Sequence, residues 1–235
     1  MKRGILLSAF ILTVSVLSGF AIGQSMAKET RDVKDFTKVS FGIAGNLYIN
    51  FGPEFKVVLE GDKKDLEEIV TDVSGGRLVI KKDNSWRFNF NDKVTVYITM
   101  PELKALGVSG SGKAEIKDAI KTDELDLSVS GSGKIFTTDL MVSKLGCSIS
   151  GSGDIVPGGN GAANKADISI SGSGNYEGGA LKIESAEIHI SGSGNCSCNV
   201  TGSLRASVSG SGNVTYEGNP KVDAHVSGSG KVRSK

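Results

Sequence analysis

The chain has 235 residues, with 27 Lys and Arg against 26 Asp and Glu, 32 glycines, three cysteines and 6% aromatics. A formal net charge of +1 gives no electrostatic case for a nucleic acid or an anionic membrane as partner. Three cysteines, only two of them close in sequence, without a fitting histidine spacing give no case for a zinc site, while the length is enough for one sizeable core in a single domain.

The first 27 residues read as an export signal. Lys2 and Arg3 precede an apolar run over 5–22, and small residues then place a cleavage after Gly23 or after Ala27, the layout of a secretory leader. Its removal leaves 25 basic and 26 acidic residues, net −1. The mature protein is expected outside the cytoplasm, in the periplasm, on the outer surface or secreted, with no membrane segment after cleavage. Residues 30–235 are expected to form one domain.

Between 30 and 106, strands are predicted over 37–43, 47–51, 55–60, 77–82 and 94–100, separated by turns at Gly45-Asn46, Gly52-Pro53 and Gly75-Gly76. Over 62–73 the pattern changes. Leu66, Ile69, Val70 and Val73 fall at helical spacing with acidic residues near the start, so one short amphipathic helix is predicted there. It would cover one end or side of the strands that follow. The segment Trp86-Arg87-Phe88-Asn89-Phe90 offers alternating aromatics. Trp86, Arg87 and Phe88 form a candidate ligand surface, although burial on one strand face explains the same spacing.

From 107 to 235 the phrase Ser-Gly-Ser-Gly occurs seven times, starting at Ser109, Ser130, Ser150, Ser171, Ser191, Ser209 and Ser227, in steps of 18 to 21 residues that shorten toward the C terminus. The residue before each copy is Val108, Val129, Ile149, Ile170, Ile190, Val208 or Val226, and two further back stands Leu106, Leu127, Cys147, Ile168, Ile188, Ala206 or Ala224. Polar residues alternate with these, which is the two-residue period of a strand with one dry face. Paired glycines and β-branched flanks exclude a helical hairpin, and a propeller blade needs about 40 residues. The remaining reading is an all-β fold: a parallel β-helix, or β-solenoid, with coils of about 20 residues stacked at ~4.8 Å so that the phrases form one column of corners. Lys231, Arg233 and Lys235 put charge on the last strand, which discourages end-to-end stacking there.

Candidate chemistry is sparse. Asp126, Asp167, Glu187 and Asp223 are expected in one outward column, interrupted by Gly146 and Arg205, and solvated surface charge explains them as well as a carboxylate pair does. A calcium-binding solenoid requires an Asp after successive turns, and only Asp154 complies. His189 and His225 share a column two coils apart, too far to share a metal. Cys147, Cys196 and Cys198 read as small buried residues. No serine has the strand-to-helix setting of an activated nucleophile, so no catalytic, metal or cofactor residues are assigned.

The runs Phe36-Thr37-Lys38-Val39-Ser40 and Gly42 to Ile49, the Val57-Val58-Leu59-Glu60-Gly61-Asp62 segment, the strand ending at Met100-Pro101, and the phrase series together resemble the bacterial family named putative auto-transporter adhesin, head GIN domain. The similarity runs from about residue 30 to 233. It implies a secreted or envelope-associated, right-handed β-helical protein with no established biochemistry. The chain ends just after the seventh phrase, with no barrel-forming translocator, so self-transport is not expected. The expected function is a non-enzymatic extracytoplasmic adhesin or surface-binding module with an unknown glycan or protein ligand; a polysaccharide-active enzyme and an envelope structural protein are the alternatives.

Overall fold

The computed structural model describes residues 26–83 and 94–235. Residues 1–25 of the predicted leader and the Trp86, Arg87 and Phe88 surface lie outside them. The chain begins with β1 (Met26–Arg31), β2 (Lys38–Gly42), β3 (Asn46–Phe51), β4 (Lys56–Asp62), α1 (Lys63–Glu67), β5 (Ile69–Ser74), β6 (Arg77–Lys82) and β7 (Thr95–Met100). The repeats supply β8 (Ala105–Gly110), β9 (Lys113–Ile116), β10 (Ile120–Gly131), β11 (Lys134–Thr137), β12 (Leu140–Gly151), β13 (Asp154–Pro157) and β14 (Gly161–Gly172). The last are β15 (Asn175–Gly192), β16 (Asn195–Gly210), β17 (Asn213–Glu217), β18 (Lys221–Gly228) and β19 (Lys231–Ser234).

These strands form a β-solenoid whose repeats stack in register. The strand leading into each phrase pairs in parallel with its counterparts, β8 on β10, β10 on β12, and so on to β16 on β18. Val108 lies beside Val129, Val129 beside Ile149, and Ile149 beside Ile170. The strand leaving each phrase stacks likewise, from β9 on β11 to β17 on β19. In β10, β12 and β14 the register skips one residue, at Asp123, Ser143 and Asn164. A coil therefore has three strand segments separated by the phrase, a second turn and a bend.

The phrase is what the corner needs. Its first glycine sits at positive φ in every copy, from +87° at Gly110 to +125° at Gly192, backbone that side chains disfavour. Its second glycine faces inward. A Cβ on Gly174, Gly194 or Gly212 would lie 2.6 Å from the Cγ2 of Ile149, Ile170 or Ile190 in the coil before and would also overlap a glycine carbonyl oxygen. Serine in between meets the requirement for a small polar residue on the outside.

The aliphatic columns fill a narrow, continuous interior, so that Val129, Ile149, Ile168, Ile188 and Val208 are all buried. Burial at about 25 cal/mol per Å² of apolar surface drives this stacking, and no single coil could bury its inner face alone.

The N-terminal part departs from simple succession. The coil made by β2 and β3 lies between the later β6–β7 coil and the β8–β9 coil. Beneath it, antiparallel strands close the end: β5 pairs with β6, β4 with β7, and β1 with β4. The helix expected over 62–73 is one turn, Lys63–Glu67, which buries Leu66. Ile69, Val70 and Val73 belong instead to β5, returned by a two-residue turn in which Gly75 and Gly76 have φ of +56° and +70°. Primed turns of this kind match the twist of a hairpin.

Candidate functional site

The outer side of the phrase-bearing strands is a polar surface. Register places Asp126, Gly146, Asp167, Glu187, Arg205 and Asp223 in one column, with Ser128, Ser148, Ser169, His189, Ser207 and His225 in the next. His189 and His225 are therefore two coils apart, about 10 Å by strand spacing, with Ser207 between them.

Polar and charged side chains on this face are paired. Lys144 Nζ lies 2.9 Å from Glu124, Lys165 Nζ 3.1 Å from Asp167, His189 Nε2 3.3 Å from Glu187, and Arg205 Nε 3.3 Å from Asp223. Ion pairs this exposed contribute little stability and exchange partners readily. The ammonium of Lys144 holds the Glu124 carboxyl below its ordinary value through a hydrogen bond. At Gly146 the column loses its side chain, and the Asp126 carboxylate leans into the space that a Cβ would occupy. The result is a shallow depression of about 440 Å³ lined by Asp126, Lys144, Asp167, Ser169, Glu187 and His189. It offers hydrogen-bond donors and acceptors on rigid strands and is open to solvent.

A second outward column lies on the strands that leave the phrase. Tyr97, Tyr48, Glu115, Phe136 and Val156 follow one another in register. The rings of Tyr48 and Tyr97 stack at 5.6 Å, and Lys117 and Lys113 lie over Tyr48 and Phe136 at 4.8 and 4.7 Å. Glu115 sits between these ammonium groups, 2.6 Å from Lys117 Nζ and 3.8 Å from Lys113 Nζ, and its pKa is lowered chiefly by the hydrogen bond from Lys117. This stripe was not singled out from the sequence, although reading across repeats at the third position after each phrase would have placed Glu115, Phe136 and Val156 together.

Just after the corners runs a ladder. Asn213 donates to Asn195 at 3.0 Å, Asn195 to Asn175 at 3.1 Å, and Asn175 to Asp154 at 2.9 Å. Lys134 closes the series with an ion pair to Asp154 at 2.6 Å. Burial pushes the Asp154 carboxyl up, but the bonds from Lys134 and Asn175 outweigh it and hold the pKa below the ordinary value. Asp154 is thereby committed to a structural contact.

The three cysteines are free and buried. Burial raises the Cys147 thiol, and that of Cys196 is raised by its hydrogen bond with Cys198 as well as by burial, so neither is positioned as a nucleophile. Tyr176 fills the interior nearby, its ring occupying the space beside Gly178. Among the described residues, no group of three or more His, Cys, Asp or Glu side chains is placed to hold a metal ion, and no helix is long and apolar enough to cross a membrane.

Comparison with known proteins places this architecture. The family profile described as "Putative auto-transporter adhesin, head GIN domain" matches residues 35–220. A solved putative adhesin from Bacteroides fragilis superposes with a TM-score of 0.84 at 28% identity, covering 91% of this chain and 98% of that one. A putative adhesin from Parabacteroides distasonis gives 0.71 at 23% identity, covering 90% and 97%. A putative lipid binding protein from the same organism gives 0.69 at 23%, covering 89% and 96%. The search of curated proteins found no match.

Proposed function

The chain belongs to the putative auto-transporter adhesin, head GIN domain family, and on that premise we propose that it is a non-enzymatic, extracytoplasmic binding module. Residues 1–27 act as its leader, cut after Gly23 or Ala27, and the solenoid presents its outer faces to a glycan or protein at the cell envelope. The observation that carries this reading is the depression at Gly146. Asp126, Asp167, Glu187 and His189 converge there from successive coils at fixed strand spacing, a pre-organised polar surface that loses little conformational entropy on binding.

Catalysis is the weaker reading of the same residues. Asp167 and Glu187 are neighbours in register, yet both are open to solvent, Asp167 ion-paired to Lys165 and Glu187 within hydrogen-bond distance of His189. A general acid of a glycosidase is instead held protonated by its surroundings.

The test is binding of the mature chain to glycan arrays and to cell-envelope and matrix preparations, with Asp167→Ala/Glu187→Ala and Tyr97→Ala as separate variants. Binding is expected, with loss in the first variant and retention in the second. Absence of binding to every surface would overturn the proposal. So would product release from a polysaccharide panel that disappears in Asp167→Ala/Glu187→Ala.

A further inference from the structure

The two ends of the solenoid are finished differently. At one end antiparallel strands and α1 cover the first coil, and Leu66, Leu78 and Ile80 are fully buried. At the other, β18 is hydrogen-bonded to β16, and among the described residues no strand pairs its opposite edge. Its inward column shows the consequence. Leu204 and Val208 in the preceding coil are 1% exposed, whereas Val222 and Val226, stacked directly on them, are 39% and 38% exposed. An open strand edge beside exposed valines is a surface that invites pairing.

The pattern of β18 is complementary to itself. Directly opposite residues of an antiparallel pair lie on the same face of the sheet, so a twofold axis between two residues would set inward valines against outward polar groups and is excluded. An axis through Asp223 places that carboxylate on its own copy. An axis through His225 places imidazole on imidazole and sets Val222 against Gly228. An axis through Ala224 sets Val222 against Val226 twice and Asp223 against His225 twice, with Ala224 meeting itself. Lys221 then faces Ser227.

We propose that β18 pairs antiparallel with β18 of a second copy of this chain about a twofold axis through Ala224, giving a dimer joined end to end. The charges of Lys231 and Arg233 lie on β19, on another side of the coil. A twofold through β18 does not bring β19 onto its own copy, so those charges do not oppose the contact. The arrangement is isologous and closed, stopping at two copies. It stands independently of the ligand assigned above.

Sedimentation equilibrium of the mature chain tests the proposal directly, with a concentration-dependent dimer expected. Val226→Lys, Asp223→Lys and His225→Asp should each weaken it by about tenfold or more, because the axis loses every contact twice. The exchanged pair Asp223→Lys/His225→Asp should restore it, a rescue that a purely structural role for either side chain does not predict. Ala224→Cys should form a disulfide-linked dimer on a non-reducing gel, whereas a cysteine at exposed Ala180 should not; the native thiols, all buried, do not interfere. A chain that stays monomeric at every concentration, or a dimer indifferent to Val226→Lys and without the Ala224→Cys cross-link, would overturn the proposal.

Discussion

At the scale of single residues, the glycines of the repeated phrase resist substitution for separable reasons. Gly110 has φ of +87° with nothing within 4 Å of an added Cβ, so alanine there meets only backbone strain, of order 1–3 kcal/mol. Gly192 has φ of +125° and an added Cβ would also overlap the Gly172 carbonyl oxygen, adding an overpacking cost of about 1–3 kcal/mol. Gly179 has neither constraint, its nearest neighbour being the Ser197 hydroxyl at 3.7 Å. Alanine at Gly179 should be neutral or stabilise by a few tenths of a kcal/mol through the unfolded chain. Chemical denaturation of the three variants should rank the losses Gly192→Ala, Gly110→Ala, Gly179→Ala. Equal losses at Gly192 and Gly110 would show that close stacking of the corners contributes nothing.

At the scale of elements, the asparagine ladder ties successive coils together on the outside while the aliphatic columns do so within. Its donors all point toward Asp154, so the ladder ends on a charge that Lys134 also contacts, and such chains of hydrogen bonds reinforce one another. Because the folded-state pKa of Asp154 lies below its unfolded value, its contribution is complete above the ordinary carboxylate range near ~3.9 and is lost as pH falls through the folded pKa. Asp154→Asn keeps the acceptor for Asn175 and removes the charge. Its melting temperature should lie below that of the native chain at pH 7, with the gap closing toward pH 3; a constant gap would assign no linkage to this carboxylate. The stacked strands were legible in the sequence because each inward residue repeats at every coil, so columns reinforce one another. The N-terminal cap lacks that redundancy. Ile69 and Val73 are four apart, which places them on one face of a helix and equally on one face of a strand, and the hairpin turn at Gly75-Gly76 decided in favour of β5. Of the ladder only the column was legible, a polar residue after each phrase; because that column mixes Lys, Asp and Asn, the bonds linking Asn213, Asn195, Asn175 and Asp154 were not. The depression at Gly146 was half visible, since the outward acidic column could be read from the spacing while the lean of Asp126 over the missing side chain could not.

At the scale of the whole molecule, each coil of the repeat region contacts chiefly the coils above and below it, so stability is distributed along one dimension and cooperativity depends on how the ends are treated. The antiparallel strands β5 and β4 cover the β6–β7 coil, and β1 covers β4 in turn, whereas β18 and β19 are each held from one side. Hydrogen exchange should therefore be graded. Amides of β10, β12 and β14 should exchange only through opening of much of the column, while those over 221–234 should exchange by fraying of the last coil at a small fraction of the global free energy. The proposed dimer adds a condition to this gradient. In dilute solution 221–228 and 231–234 should be the fastest-exchanging strands of the repeat region, and raising the protein concentration should protect 221–228 selectively, because pairing through Ala224 supplies its missing neighbour and shields Val222 and Val226. The segment 231–234 should respond less, since β19 gains no strand. Mass-spectrometric exchange at two protein concentrations reads both effects at once. Uniform protection along the column would contradict the one-dimensional account, and a frayed last coil that concentration leaves unchanged would contradict the dimer while leaving that account intact.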